Sequence, residues 1–139
     1  MKKTAVIYWS GTGNTEAMAN AVAEGMKEAG AEVAVMTPDQ VNSLNGYASI
    51  AFGCPAMGTE VLEEVDFQPM FDGCKNSLGG KSVALFGSYG WGDGEWMRNW
   101  EKECEDAGVN LVCESVTCCE APDDAALSAC REMGKALAK

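Results

Sequence analysis

The sequence contains no histidine, and its seven cysteines include no C-x-x-C pair. Both absences exclude a zinc site of the usual Cys/His kinds, so no metal centre is expected. An odd number of cysteines leaves no complete disulfide framework, and reduced thiols fit a cytoplasmic setting best. The adjacent Cys118 and Cys119 read as small residues near a strand end, by the burial habit of free cysteine. Bases are scarce as well: 10 Lys and Arg stand against 21 Asp and Glu, a formal net charge of -11. The excess lies in one contiguous segment, because residues 60–124 hold 15 acids and 4 bases. Such a field repels nucleic acid and anionic membranes and steers basic partners. Long apolar runs are also missing. The run that follows Met1-Lys2-Lys3 turns polar after Trp9, which is too short for a signal core. Nothing later approaches the roughly 20 apolar residues of a membrane span.

What remains is a chain of 139 residues, 47% of them hydrophobic, enough for one domain over residues 1–139 with a core of its own. Apolar, β-rich runs at Thr4–Trp9, Glu32–Thr37, Ser49–Gly53, Ser82–Gly87 and Asn110–Val116 are too continuous to alternate with water-facing residues, and predict buried parallel strands. Helical stretches at Thr15–Ala29, Pro38–Leu44 (the weakest), Phe67–Lys75, Glu95–Ala107 and Asp123–Ala138 separate or follow them. Met18, Val22 and Met26 share a face of the first helix, as do Leu127, Cys130, Met133 and Leu137 of the last; both stripes read as core. The alternation predicts an α/β class, a doubly wound five-stranded parallel sheet of order 2-1-3-4-5. Ligands in such sheets bind beyond the carboxyl ends of the strands, where the order reverses.

Three loops lie at that edge. Ser10-Gly11-Thr12-Gly13-Asn14-Thr15 joins the first strand to a helix. Its glycines let successive N–H groups converge, the helix dipole favours negative charge, and the hydroxyls of Ser10, Thr12 and Thr15 add donors. With no Lys or Arg in the loop, a phosphomonoester would be held by dipoles rather than by countercharge. Other phosphate motifs fail: Gly80-Lys81-Ser82 has only the tail of a Walker A sequence and precedes a strand, and Glu16 replaces the third glycine of the dinucleotide fingerprint. After the third strand, Cys54-Pro55-Ala56-Met57-Gly58-Thr59-Glu60 offers a thioether suited to packing on a flat ring and a glycine whose peptide can turn over. After the fourth, Ser88-Tyr89-Gly90-Trp91-Gly92 sets aromatic rings among glycines, a natural stacking platform. Trp96, Met97 and Trp100 open the next helix and read as packing residues. A phosphorylated planar ring would satisfy all three loops.

At these residues the chain resembles the flavodoxins, specifically the short-chain kind of anaerobic bacteria, along essentially its whole length. Ser10 to Thr15 matches the family's FMN phosphate loop, Met57-Gly58-Thr59-Glu60 resembles its inner flavin loop, and Ser88 to Gly92 its outer one. The resemblance implies a flavodoxin-like fold with no long insertion in the fifth strand and FMN as the non-covalent cofactor. Met57 and Trp91 would sandwich the isoalloxazine, Glu60 would accept from N3–H, backbone near Gly90 would meet the pyrimidine end, and Ser88 would lie near the ribityl chain. Pro55 stands where some members present a serine hydroxyl, and Cys119 where many have asparagine. The implied cofactor-binding set is Ser10, Gly11, Thr12, Gly13, Asn14, Thr15, Pro55, Ala56, Met57, Gly58, Thr59, Glu60, Ser88, Tyr89, Gly90, Trp91, Gly92 and Cys119. The family's peptide flip on reduction would place its hinge at Gly58, with a β-branched Thr59 resisting the positive φ of a type II turn.

The implied function is a low-potential one-electron carrier, not an enzyme, shuttling electrons between redox enzymes. Its expected partners are redox proteins with basic surfaces; a monomer is expected, with no nucleic acid or membrane partner. An NAD(P)H-dependent flavin or quinone reductase would need room beside the ring that Met57 and Trp91 deny. A phosphorylated receiver domain would need acids where Trp9-Ser10 and Cys54-Pro55 stand.

Overall fold

A computed structural model describes residues 2–58 and 61–139. Strands β1 (Lys3–Tyr8), β2 (Glu32–Met36), β3 (Ser49–Gly53), β4 (Ser82–Tyr89), β5 (Asn110–Leu111) and β6 (Val116–Cys119) form one parallel sheet. Its order is β2-β1-β3-β4-β5, and β6 pairs with β4 alongside β5. Helices α1 (Asn14–Glu28), α2 (Phe67–Cys74), α3 (Glu95–Asp106) and α4 (Asp124–Ala138) provide the crossovers and the covering layers.

The central strands are apolar throughout because both of their faces are covered. Successive side chains point to opposite faces. Ala5, Ile7, Ile50, Phe52, Val83 and Leu85 accordingly join one core with α2 and α3, while Val6, Ala51, Ala84 and Phe86 join another with α1 and α4. In the first core, Phe52 and Trp100 meet Phe71 edge-on at 5.2 and 5.8 Å between ring centres. Burying each such ring contributes roughly 1.5–3 kcal/mol. The second core is built around the predicted stripes Met18, Val22, Met26 and Cys130, Met133, Leu137.

Two expectations need correction. The fifth strand is not continuous: Val112 to Ser115 stand opposite only Ala84 and Leu85, so a two-residue bulge separates β5 from β6. Ser115 Oγ donates to Glu101 Oε2 at 2.7 Å, a side-chain bond that replaces ladder pairing there. The even insertion preserves the facing of the side chains, and β6 runs on to the carboxyl edge. The expected helix Pro38–Leu44 is a single 3₁₀ turn, Pro38–Gln40, with Thr37 as its cap. Beyond it, Asn42, Ser43, Asn45 and Gly46 favour turns over helix, and Lys81 Nζ ties the carbonyls of Leu44 and Tyr47 at 2.8 and 2.7 Å. At the start of α4 the Asp123 carboxylate accepts from Ala126 N–H at 2.8 Å and caps the helix. Among the described residues no helix is long and apolar enough to cross a membrane.

Candidate functional site

The site is built where β1, β3, β4 and β6 end. Gly13, at φ 95°, takes the left-handed conformation at the start of α1, which glycine adopts without a Cβ penalty. Ser10 Oγ accepts from the N–H groups of Gly13 (3.1 Å) and Glu16 (3.3 Å), closing the loop on itself. The N–H groups of Asn14 and Thr15, in the first helical turn, have no intrahelical acceptor and carry the positive end of the helix dipole. Thr15 and Ser88 bring their buried hydroxyl oxygens within 3.4 Å of each other, joining α1 to β4 beneath the site.

Beside this loop lies a cavity of about 540 Å³, within the range of roughly 300–1,000 Å³ usual for small-molecule sites. Gly11, Thr12 and Asn14 line its polar end; Pro55, Ala56, Met57, Ser88, Tyr89 and Gly90 come from the loops after β3 and β4. Three further wall residues were not singled out from sequence: Trp9, Glu120 and Ala121. The first is the aromatic residue directly after β1, packed so close that a Cβ on Gly11 would stand 3.1 Å from its ring. The other two follow β6, and the rule that ligands sit beyond strand carboxyl ends was enough to direct attention to that loop. Glu120 N–H donates to Tyr89 O at 2.7 Å, and Glu120 is left-handed at φ 59°.

Not every expected residue lines the cavity. Ser10 and Gly13 border a second hollow of about 430 Å³ on the far side of Trp9, whose wall includes Glu16, Asp39 and Asp66. Its three acids, against the single Glu120 of the first cavity, make the first cavity the better place for an anion. Thr15 lies buried below the floor. Trp91 is 62% exposed and stands in solvent with Gly92, in a glycine-rich segment with little to pack against. A Cβ on Gly58 or Gly90 would meet nothing within 4 Å, so both glycines border open space. Thr59 and Glu60 lie outside the described residues. Cys119 is exposed on the strand's outer face, whereas Cys118 turns inward toward Met18, 3.6 Å between sulfurs. Neighbouring residues on a strand point to opposite faces, which keeps these two thiols apart. Burial, then the nearby Asp123 charge, pushes the Cys118 thiol up to about 11, so it is a poor nucleophile at neutral pH.

The loop after β3 is held firmly at its base. The Glu63 carboxylate accepts from the N–H groups of Val65 (2.8 Å), Asp66 (2.7 Å) and Phe67 (2.8 Å), capping α2. Burial opposes its charge, but these three donors outweigh it and hold its pKa below the usual carboxylate value. Met57 N–H donates to Val61 O at 2.9 Å within the loop.

A slot with apolar walls at one end and a cationless ring of donors at the other, at the carboxyl edge of this sheet topology, defines a domain of the mononucleotide-binding kind. The family model for flavodoxin matches residues 6–134. Flavodoxin from Megasphaera elsdenii is 46% identical over 137 residues, covering 96% of this chain and 97% of the relative. Flavodoxin from Clostridium beijerinckii is 44% identical over 135 residues, with the same coverage of both chains. The solution structure of two-electron reduced Megasphaera elsdenii flavodoxin superposes with a TM-score of 0.88 at 44% identity, covering 97% of this chain and 98% of that one. The chain belongs to the flavodoxin family. It is an FMN-binding electron carrier, not an enzyme.

Proposed function

We propose that the protein is a low-potential one-electron carrier whose FMN lies in the 540 Å³ cavity. The phosphate end fits the loop from Ser10 to Thr15, with Gly11, Thr12 and Asn14 facing the group and Ser10 and Gly13 shaping the curl. Ser88 serves the ribityl chain, and Met57 packs on one face of the ring system. Trp91 would close over the other face, which its exposed position and flexible glycine neighbours permit. Glu60 and the backbone near Gly90 receive the pyrimidine end. Pro55, Ala56, Tyr89, Gly92, Thr59 and Cys119 complete the proposed surroundings. When bound, FMN supplies the redox chemistry, in single-electron steps. The protein contributes binding, exclusion of water, and an electrostatic field.

That field supports a low potential. Each base within residues 60–124 is already engaged: Lys75 by Glu103, Arg98 by Asp93, Lys102 by Asp106, and Lys81 by carbonyls. Beyond Asp72, Asp93, Glu103 and Asp106, the acids of that segment have no basic partner among the described residues, and their summed field disfavours added negative charge on the cofactor. The same acids would dock redox proteins through basic surfaces. A monomeric, single-domain protein in the cytoplasm completes the reading.

The observation that carries the assignment is one cavity joining the helix-terminal loop to Met57 and Tyr89. Titrating apoprotein with FMN and with riboflavin tests it. FMN should bind at least about tenfold more tightly, since hydrogen bonds to a charged group contribute roughly 1.5–3 kcal/mol. Equal affinities would remove the phosphate from the assignment.

A further inference from the structure

Cys54 is the junction of three contacts with residues distant in sequence, though it does not line the cavity. Its N–H donates to Phe86 O at 3.1 Å, its carbonyl accepts from Trp96 Nε1–H at 3.1 Å, and its Sγ accepts from Glu63 N–H at 3.4 Å. The last contact closes residues 55–62 into a loop whose two ends meet. Trp96, buried in the first turn of α3, belongs to the element that carries the outer loop. Its ring leans on Tyr89, a cavity-wall residue, at 5.5 Å between centres. Gly87 makes the approach possible: a Cβ there would stand 2.2 Å from Cys54 O and 3.2 Å from the Trp96 ring. One indole thus touches the supports of both loops that flank the cavity.

Packing alone does not demand this bond. Trp100 lies one turn further along α3, equally buried, and its Nε1 has no partner among the described residues. We propose that Trp96 is a positioning residue for the flavin: its indole N–H fixes the base of the 55–62 loop, so that Met57 and Gly58 are presented to the ring in one arrangement. The proposal rests on the reading that this loop contacts FMN.

Trp96→Phe removes the donor and keeps an aromatic ring; Trp100→Phe makes the same change where no bond is lost. Met57→Ala tests the underlying reading. In apoprotein, amide hydrogen exchange over residues 55–62 should quicken in Trp96→Phe and stay unchanged in Trp100→Phe. With FMN, Trp96→Phe should weaken binding about three- to tenfold, the fold-change of one hydrogen bond of ordinary net strength. It should also alter the separation of the two one-electron midpoint potentials, which Trp100→Phe should leave alone. If the two tryptophan variants behave alike, or exchange over 55–62 is unaltered in Trp96→Phe, the proposal is overturned. If Met57→Ala weakens FMN binding and Trp96→Phe does not, positioning by Trp96 fails while the loop's contact with FMN survives. If neither weakens it, the contact reading fails and the proposal with it.

Discussion

Glu63 shows how a single buried carboxylate serves this architecture. Its three backbone donors prefer the charged form, so its folded-state pKa lies below the unfolded value of roughly 4.3. Stability from this group is therefore fully present above the unfolded pKa and is lost as pH falls through the lower folded one. Glu63→Gln keeps one acceptor oxygen but turns an amide NH₂ toward a backbone donor. It should cost about 1–2 kcal/mol at neutral pH and less in acid, because charge-assisted bonds exceed neutral ones. Urea melts at neutral pH and near pH 3 measure the difference; an equal cost at both would deny the charge its role. Glu120 is the opposite case, a non-glycine residue held at φ 59°. Glu120→Asn should gain on the order of 0.5 kcal/mol in the same melts, since asparagine tolerates the left-handed region better. A loss of stability would mean that contacts of the Glu120 side chain outweigh the strain.

Among the elements, α1 and α4 depend on two glycines that lie mid-helix. A Cβ on Gly25 would come within 1.9 Å of Arg131 O, and one on Gly134 within 2.1 Å of Val22 O. Alanine is the better helix former by about 1 kcal/mol, yet Gly25→Ala and Gly134→Ala should each destabilise by roughly 1–3 kcal/mol through overpacking. Thermal unfolding of either variant at or above the parent's midpoint would contradict this packing. Here sequence and structure part company instructively. The apolar stripes of α1 and α4 were legible because helical periodicity is local, and the strand order followed from the alternation of elements. Close helix approach through Gly25 and Gly134 was not legible, because it depends on where two distant helices cross. The split between β5 and β6 escaped for a related reason: only the register against β4 shows that two of the four residues Val112 to Ser115 are surplus. At the site, glycine-rich loops announced themselves, whereas Trp9 ended a predicted strand and Glu120 lay in no motif.

For the molecule as a whole, charge and topology divide the labour. The sheet edge gathers loops from four strands into one cavity, and the acids of residues 60–124 outnumber the bases of that segment by 15 to 4. A net charge of -11 should make electron transfer to a basic redox protein slow markedly as salt rises. The Debye length falls from about 10 Å at 0.1 M to about 3 Å at 1 M. Stopped-flow rates with cytochrome c as a basic acceptor measure this, and rates independent of salt would remove the acidic face from docking. The central claim, one-electron carriage by FMN, is tested most directly by stepwise anaerobic reduction of the FMN-loaded protein with dithionite, followed by visible absorbance. Two resolved steps, with a long-wavelength band that rises and then disappears, are predicted. A single direct conversion from yellow to colourless would contradict the account.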